Sequence, residues 1–358
     1  QLVTLSAILG VGVAVFCLVT RTAQLRLFFG TISEDVMQAC LIYFTITALS
    51  FPFLALYNAG AAIFRSTGNS AVSMKVSVLV NAINFCGNAL CVFVLRMGVA
   101  GVAVPTLVSR AVGAVIILSL AAKRDYVLRI TPRTVTRLEG RTVRGILYIG
   151  IPSAFENSLF QLGRVLVVSM ISLFGTVHIS ANAVANNLDA VGCIVGNAMG
   201  LAMITVVGRC VGAQDFEQTK HYTKKLLLWD YIAQGTVNLL VLLFLNRILG
   251  MYTLSPETRA LSWTLVMIHN GVAILLWPAG FVLPNALRAA NDVRFTMVTS
   301  ILSMIVWRMG LSWILCVNMG MGAVGVWLAM VVDWICRVTC FVIRFASGAW
   351  QKSAVKKV

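Results

Sequence analysis

Ten long apolar segments occupy most of this sequence and restrict it to one class of fold. Apolar residues run continuously through each segment instead of alternating every second residue, which favours membrane-spanning helices over the strands of an outer-membrane barrel. Charged residues make up 11% of the 358 residues, whereas a soluble domain carries about 25%. We therefore predict an all-α integral membrane protein. The predicted spans are residues 2–20, 39–64, 75–95, 99–122, 146–173, 180–207, 223–246, 260–287, 295–317 and 322–346.

Lysines and arginines in the loops and at the adjoining ends of these spans are divided unequally between alternate loops. One set of loops, counted with the C-terminal tail, holds nineteen of them, and the opposite set holds five. Loops rich in Lys and Arg face the cytoplasm, so the first set, which includes the basic stretch 123–144, is predicted to be cytoplasmic. Membrane topology thereby accounts for the formal net charge of +16, and nucleic acid is not expected as a partner.

The nine cysteines are scattered through apolar segments without a CxxC pair. We expect reduced thiols packed among apolar side chains, with no disulfide and no metal site. The sequence also contains no HExxH or GxSxG motif, so the hydrolases that these motifs typify are not expected. We predict that the protein is not an enzyme.

Short sequence matches recur at a nearly constant offset, which indicates two related halves. RSTGNSAVSM at 65–74 resembles RAANDVRFTM at 288–297 at an offset of 223, and MGVAGV at 97–102 resembles MGAVGV at 321–326 at an offset of 224. Parallel repeats are typical of transporters whose site lies near the bilayer midplane between two halves. The predicted parts are an N-lobe, a basic cytoplasmic linker, a C-lobe and a cytoplasmic tail, at 1–122, 123–145, 146–346 and 347–358.

The repeat also predicts two helices that this sequence does not contain. Spans 2–20 and 39–64 correspond to spans 223–246 and 260–287, so the counterparts of the first two C-lobe spans would precede residue 1. The N-lobe therefore has four predicted helices and the C-lobe six. We expect the sequence to supply ten of twelve transmembrane helices.

Two motifs in the second half resemble a known family. GIP at 150–152 opens the fifth span, and VGRCVGAQ follows at 207–214. The pair is similar to the GIP…VGQxxGA pattern of multidrug and toxic compound extrusion (MATE) transporters, and the segment from Pro278 to Trp334 is similar to that family's last three helices. The resemblance implies a two-lobe helical bundle that exports cationic or amphipathic compounds in exchange for H⁺ or Na⁺. We expect a monomer in the lipid bilayer, with no cofactor besides the coupling ion.

Four polar residues in the predicted N-lobe helices are candidates for a cation pocket: Asn58, Asn84, Asn88 and Thr106. Asn84 and Asn88 share a helix face because they are four residues apart. The family resemblance implies that the equivalent positions bind the coupling cation, although the family often has Asp where this sequence has Asn88. The alternative is that these side chains only join helices by hydrogen bonds.

Glu156 is the leading candidate for cation coupling in the C-lobe. It lies one turn beyond Pro152, well inside the fifth span, where a carboxylate is costly unless it is paired, protonated or bound to an ion. Because burial disfavours the charged form of a carboxyl group, such a residue suits a protein that binds and releases H⁺. The alternative is a buried ion pair with Arg308, Arg164 or Arg337.

Asp333 is the secondary coupling candidate, and it can also pair with Arg337 four residues later. A substrate cavity is expected to combine adaptable apolar side chains with a few charges. Its candidate residues are Phe155, Phe160, Asp189, Met199, Met203 and Arg308. Ordinary packing is the alternative for the Met and Phe residues, and a contact with Arg164 is the alternative for Asp189.

A lipid-linked oligosaccharide flippase of the same superfamily is the second functional hypothesis. Its cavity would be strongly basic in order to hold a pyrophosphate group. Convergence of Arg110, Arg164 and Arg308 on one cavity would favour it. The first hypothesis remains the cation-coupled efflux transporter, in which the ion and the drug bias the lobes between two states by binding them with different affinity.

Overall fold

The computed structural model describes residues 1–29, 33–122 and 139–355, and these residues form helices joined by short turns. Most of the predicted linker 123–145 and the last three residues of the predicted tail lie outside this description. The helices are α1 (Leu2–Phe29), α2 (Glu34–Leu49), α3 (Phe51–Ser66), α4 (Ser70–Ala89), α5 (Ala100–Ala121), α6 (Gly140–Ser172), α7 (Thr176–Gly192), α8 (Ile194–Gly212), α9 (Phe216–Gly250), α10 (Pro256–Trp277), α11 (Leu283–Ala289), α12 (Val293–Ser303), α13 (Gly322–Ala346) and α14 (Gln351–Val355). The π-helical segments are Leu90–Val94, Pro278–Val282, Met304–Leu311 and Ile314–Asn318.

Helices coincide with all ten predicted spans, which confirms the all-α membrane class. Among the described residues, nine segments are long and apolar enough to cross a membrane. The predicted span at 146–173 lies in α6, which is 33 residues long but carries several charged residues. Large apolar side chains such as Phe85, Phe93 and Leu243 are exposed, as expected of residues that face lipid.

The chain divides into two compact units, and the division falls inside α6. Unit 1 (Gln1–Ile146) packs α3 against α1 and α5, and α4 against α5. Its buried cluster includes Phe64, Val76 and Ile117. Unit 2 (Leu147–Val358) packs α10 against α7, α9 and α13 around a larger apolar cluster.

The internal repeat extends to the backbone. Leu90–Val94 and Ile314–Asn318 are both π-helical, at an offset of 224. In each, the residue after the segment donates its N–H to the carbonyl five residues earlier, at 3.0 Å in unit 1 and 2.9 Å in unit 2. Gly98 and Gly322 then have the same positive φ of 58°. The registered sequence matches therefore mark one local fold that occurs once in each unit.

The predicted cytoplasmic tail begins with a short buried segment. Trp350 is 1% exposed, stacks on Phe345 and meets the ring of Phe216 edge-on. Ser353 donates a hydrogen bond to Asp292, which also accepts from Arg344. Residues 347–355 are thus packed into unit 2, which composition alone did not predict.

Candidate functional site

A cavity of about 570 Å³ lies within unit 2. Its wall is formed by residues of α6, α7, α8, α10, α11, α12 and α13 together with the π-helical segments Pro278–Val282 and Met304–Leu311. Aromatic, amide and charged groups share this wall. Its charged residues are Glu156, Arg164, Asp189, Arg288, Arg308 and Arg337. Four guanidinium groups therefore face the cavity with two carboxylates.

Glu156 is tied to Arg288. Arg288 Nη2 donates to Glu156 Oε1 at 2.7 Å, and the two side chains are 24% and 11% exposed. Arg288 also donates to Asn285 Oδ1 at 2.8 Å, which orients its guanidinium. The second carboxylate oxygen of Glu156 is buried and has no hydrogen-bond partner among the described residues. The ion pair considered from the sequence therefore exists, but its partner is Arg288 instead of the three arginines first considered.

Asp333 lies behind the cavity wall and is fully buried. It accepts hydrogen bonds from Arg337 Nε at 3.0 Å and from Ser303 Oγ at 2.5 Å, and Arg308 Nη1 lies 3.9 Å away. Arg308 and Arg337 also lie over the ring of Phe160, at 5.2 and 5.7 Å from its centroid. One carboxylate and one aromatic face thus hold two cavity arginines in place.

Asp189 forms a third polar group on the wall. His269 Nε2 lies 2.8 Å from Asp189 Oδ1, and Cys193 Sγ donates to the same oxygen at 3.0 Å. Asp189, Cys193 and His269 place ligand atoms within 4.8 Å of one another, an arrangement that could hold a metal ion. The sequence did not predict this group, because His269 lies on another helix. The two short contacts to Asp189 account for the arrangement by hydrogen bonding alone.

Three of the six predicted cavity residues line the cavity, and three do not. Phe160, Asp189 and Arg308 line the wall. Phe155 is exposed at 57% and Met203 is fully buried in the apolar cluster. Neither of these residues nor Met199 is part of the described cavity wall. Helical spacing on α6 explains why Phe155 does not line the cavity, because it points away from the face that carries Glu156 and Phe160.

Three of the four predicted N-lobe residues meet in unit 1. Asn84 Nδ2 donates to Thr106 Oγ1 at 3.1 Å, and Asn88 Nδ2 donates to Asn84 Oδ1 at 3.1 Å. Asn58 is exposed and has no hydrogen bond to this group in the described chain. Because these bonds join α4 to α5, they fit the alternative in which the amides hold helices together.

The repeat relates this polar group to the arginine cluster of unit 2. Asn84 Nδ2 also approaches Ser109 Oγ at 3.4 Å. At an offset of 224, Asn84 corresponds to Arg308 and Ser109 corresponds to Asp333, which are 3.9 Å apart. The same pair of helix positions is therefore linked by uncharged groups in unit 1 and by opposite charges in unit 2.

A buried polar row on α9 was missed by the sequence analysis. Asp230, Gln234 and Asn238 are four residues apart and are fully buried. Their signal in the sequence was an acid followed by two amides at helical spacing inside the predicted span 223–246.

Comparisons with known proteins place the chain among transporters. It matches the family model described as MatE over residues 1–90 and 152–314. It is 26% identical over 329 residues to the uncharacterized transporter YisQ of Bacillus subtilis, covering 89% of this chain and 70% of that one. It is 25% identical over 316 residues to the probable multidrug resistance protein NorM of Thermotoga maritima, covering 86% and 66%. The chain thus spans about 70% of the length of these relatives.

Solved structures agree with this placement at the level of the fold. One is described as the outward-facing conformation of a multidrug resistance MATE family transporter of the MOP superfamily, with a TM-score of 0.89 at 20% identity. The match covers 98% of this chain and 78% of that one. A MOP superfamily transporter from Pyrococcus furiosus, described as having a binding pocket of reverse polarity, gives 0.88 at 20% identity, with 99% and 78% covered.

Proposed function

This chain belongs to the MatE family, and from that premise we propose that it is a secondary active efflux transporter. Its substrates are cationic or amphipathic drugs and toxic compounds, which it exports in exchange for H⁺ or Na⁺ by alternating access. Relatives described as probable multidrug resistance proteins support this substrate class. The basic loops and the C-terminus lie on the cytoplasmic side, as the distribution of Lys and Arg indicates, and the transporter works as a monomer.

The Glu156–Arg288 ion pair on the cavity wall is the observation that carries this proposal. A cationic substrate or a proton that binds Glu156 replaces the positive charge of Arg288. Arg288 is then released from Glu156 but remains held by Asn285. Because the ion and the drug compete for one carboxylate, occupancy by one favours release of the other. Transport results if the two loaded forms favour different states of the protein.

The cavity wall suits amphipathic ligands. Trp277, Phe281, Trp327 and Trp334 present aromatic surface, and Asn157, Asn186 and Asn197 present amides. Ligand sites of this kind combine apolar surface with a few placed polar groups. A cavity of about 570 Å³ also lies within the usual size range for drug-sized ligands.

Accumulation of a fluorescent lipophilic cation in cells that express the protein tests this function. We expect wild-type cells to accumulate less dye than control cells, and Glu156→Gln to abolish the difference. Glu217→Gln is the matched control, because Glu217 is an exposed carboxylate in the first turn of α9. Unchanged efflux by Glu156→Gln would contradict the role of Glu156, and no efflux of any cation by the wild type would contradict the function.

Flipping of a lipid-linked oligosaccharide is the second candidate function, and the excess of arginines on the cavity wall favours it. Arg164 and Arg308 line the cavity, but Arg110 lies in unit 1, where it donates to Ser50 Oγ at 2.6 Å. Translocation of a fluorescent pyrophosphate-linked lipid in proteoliposomes separates the two functions. Flipping without cation efflux would favour this candidate.

A further inference from the structure

Asp230 is a carboxyl group buried in the interior of unit 2, and it has no hydrogen-bond partner among the residues that the structure describes. It lies on α9, inside a segment apolar enough to cross a membrane, and its side chain is fully buried. Neither of its carboxylate oxygens has a hydrogen-bond partner among the described residues. An ionised carboxylate in such a place costs several kcal/mol, so an unpaired buried acid is neutral or holds a cation.

Several titratable groups on the helices around α9 have partners of their own. The helices packed against α9 are α7, α8, α10 and α11. From them, His269 and Cys193 both contact Asp189, and Arg288 pairs with Glu156. On α9 itself, Tyr231 follows directly and carries no charge in its ordinary form. The ion pairs found in the described part of the chain do not include Asp230.

Gln234 offers Asp230 a complementary group one helical turn away. Residues four apart on a helix are neighbours on one face. Both side-chain atoms of Gln234, its amide oxygen and its amide nitrogen, are buried without a hydrogen-bond partner among the described residues. A protonated carboxyl group can donate to an amide oxygen and accept from an amide nitrogen, whereas a carboxylate can only accept. The donor and the acceptor of a protonated Asp230 therefore complement the acceptor and the donor of the Gln234 amide.

We propose that Asp230 is a proton-binding site of unit 2, separate from Glu156, and that protonation lets its carboxyl group form a hydrogen bond with the amide of Gln234. A proton is favoured over Na⁺ because a hard metal cation needs a shell of several oxygen ligands. Besides the carboxylate of Asp230, the side chain one turn away would supply a metal cation with a single further oxygen ligand, the amide oxygen of Gln234. A proton needs one carboxylate oxygen. That this proton drives export is a further step, which rests on the proposed function.

The residue one turn from Asp230 borders the cavity wall. Gln234 packs against Gly196, where an added Cβ would collide with the amide oxygen of Gln234, and Gly196 is part of the cavity wall. The wall at this point therefore consists of backbone without a side chain. Gln234, one helical turn from Asp230, thus lies directly behind the cavity wall.

Infrared spectroscopy of the purified protein in liposomes tests the site directly. We expect the wild type near neutral pH to show the C=O stretching band of a protonated carboxylic acid. Asp230→Asn should remove this band, because Asn keeps the shape of Asp but has no carboxyl group. Glu217→Gln removes an exposed carboxyl group from the same helix and should keep the band. Asp230→Asn must retain the helical circular dichroism of the wild type for the comparison to count.

Three results would overturn the proposal. The first is a band that persists in Asp230→Asn, and the second is a wild type that shows no band. The third is thermal stabilisation of the wild type by Na⁺ over choline that disappears in Asp230→Asn, because it would make Asp230 a metal-cation site. Gln234→Leu provides a second readout, since loss of the amide should shift the frequency of the band without abolishing it.

A transport measurement separates this site from the proposed function. In proteoliposomes, we expect Asp230→Asn to lose export of a lipophilic cation driven by a pH gradient while it keeps exchange of labelled for unlabelled cation. If the wild type exports no cation but the band behaves as expected, the function fails and the proton site stands. If the wild type exports and the band is absent, the proton site fails alone.

Discussion

Glu156 and Arg288, 132 residues apart in the chain, meet at 2.7 Å on the wall of the unit 2 cavity. The pair joins the middle of α6 to the end of α11. A partly buried pair of this kind is sensitive to the loss of one partner, because the remaining charge is left without compensation.

Removal of Arg288 alone should therefore destabilise the protein. We predict that Arg288→Met lowers the free energy of unfolding by about 2 kcal/mol, which is below the loss for a fully buried pair because both side chains keep some solvent contact. Combining it with Glu156→Leu should restore most of the loss. Thermal unfolding of the four proteins in detergent gives the double-mutant cycle. Additive losses would show that the two charges are not coupled.

Asp333→Asn should have a larger effect than either cavity substitution. Asp333 is fully buried and compensates Arg337, with Arg308 at 3.9 Å. We predict a loss of about 3–5 kcal/mol, because two buried guanidinium groups lose their carboxylate. The measurement is the midpoint of thermal unfolding, with the exposed Glu257→Gln as control. A shift no greater than that of the control would contradict the assignment.

Asn84 and Asn58 of unit 1 should differ in how much their side chains contribute to stability. Asn84→Ala should cost about 1 kcal/mol, in the range measured for hydrogen bonds between membrane helices, because it loses its bonds to Thr106 and Ser109. Asn58→Ala should change stability little, since Asn58 is exposed. Chemical unfolding of both variants in mild detergent measures the difference. Equal losses would argue that the hydrogen bonds contribute nothing.

Substitution by Ala should reduce stability by different amounts at the two equivalent glycines, Gly98 and Gly322. Gly98 and Gly322 share a φ of 58°, so Ala at either position should cost about 1 kcal/mol of backbone strain. Gly322→Ala should cost more, because its Cβ would lie 2.5 Å from His178 Cε1, whereas Gly98 has open space. Thermal melting of the two variants tests this order. A greater loss at Gly98 would contradict it.

Sequence patterns predicted the membrane fold well because long apolar runs have few alternative structures. The ten predicted spans coincide with helices, and the repeat offset placed equivalent turns correctly. The π-helical segments were not predictable, because one extra residue in a helical turn leaves no mark in composition. The helix breaks at Ser50 within the span 39–64 and at Cys193 within the span 180–207 were also not predicted.

The candidate site was only partly predictable. Glu156 is predicted as a coupling residue because a carboxylate is costly in a membrane span, and Asp189 is predicted as a cavity residue. The sequence does not identify the partner of Glu156, since Arg288 falls just outside the predicted span 260–287 and its side chain reaches Glu156 from the end of α11. Asp230 was passed over although the same argument applies to it. Its importance depends on the lack of a partner, which requires three-dimensional contacts.

The two equivalent π-helical segments should each tolerate the deletion of one residue. Leu90–Val94 and Ile314–Asn318 close hydrogen bonds five residues back, so each holds one residue more than an α-helical turn. Deleting a single residue there lets the turn close as an α-helix and leaves the flanking residues in the same rotational phase. The same deletion in the middle of α9 would rotate every later side chain by about 100°. Each unit therefore contains one matched place where its length can change by one residue while its packing is kept.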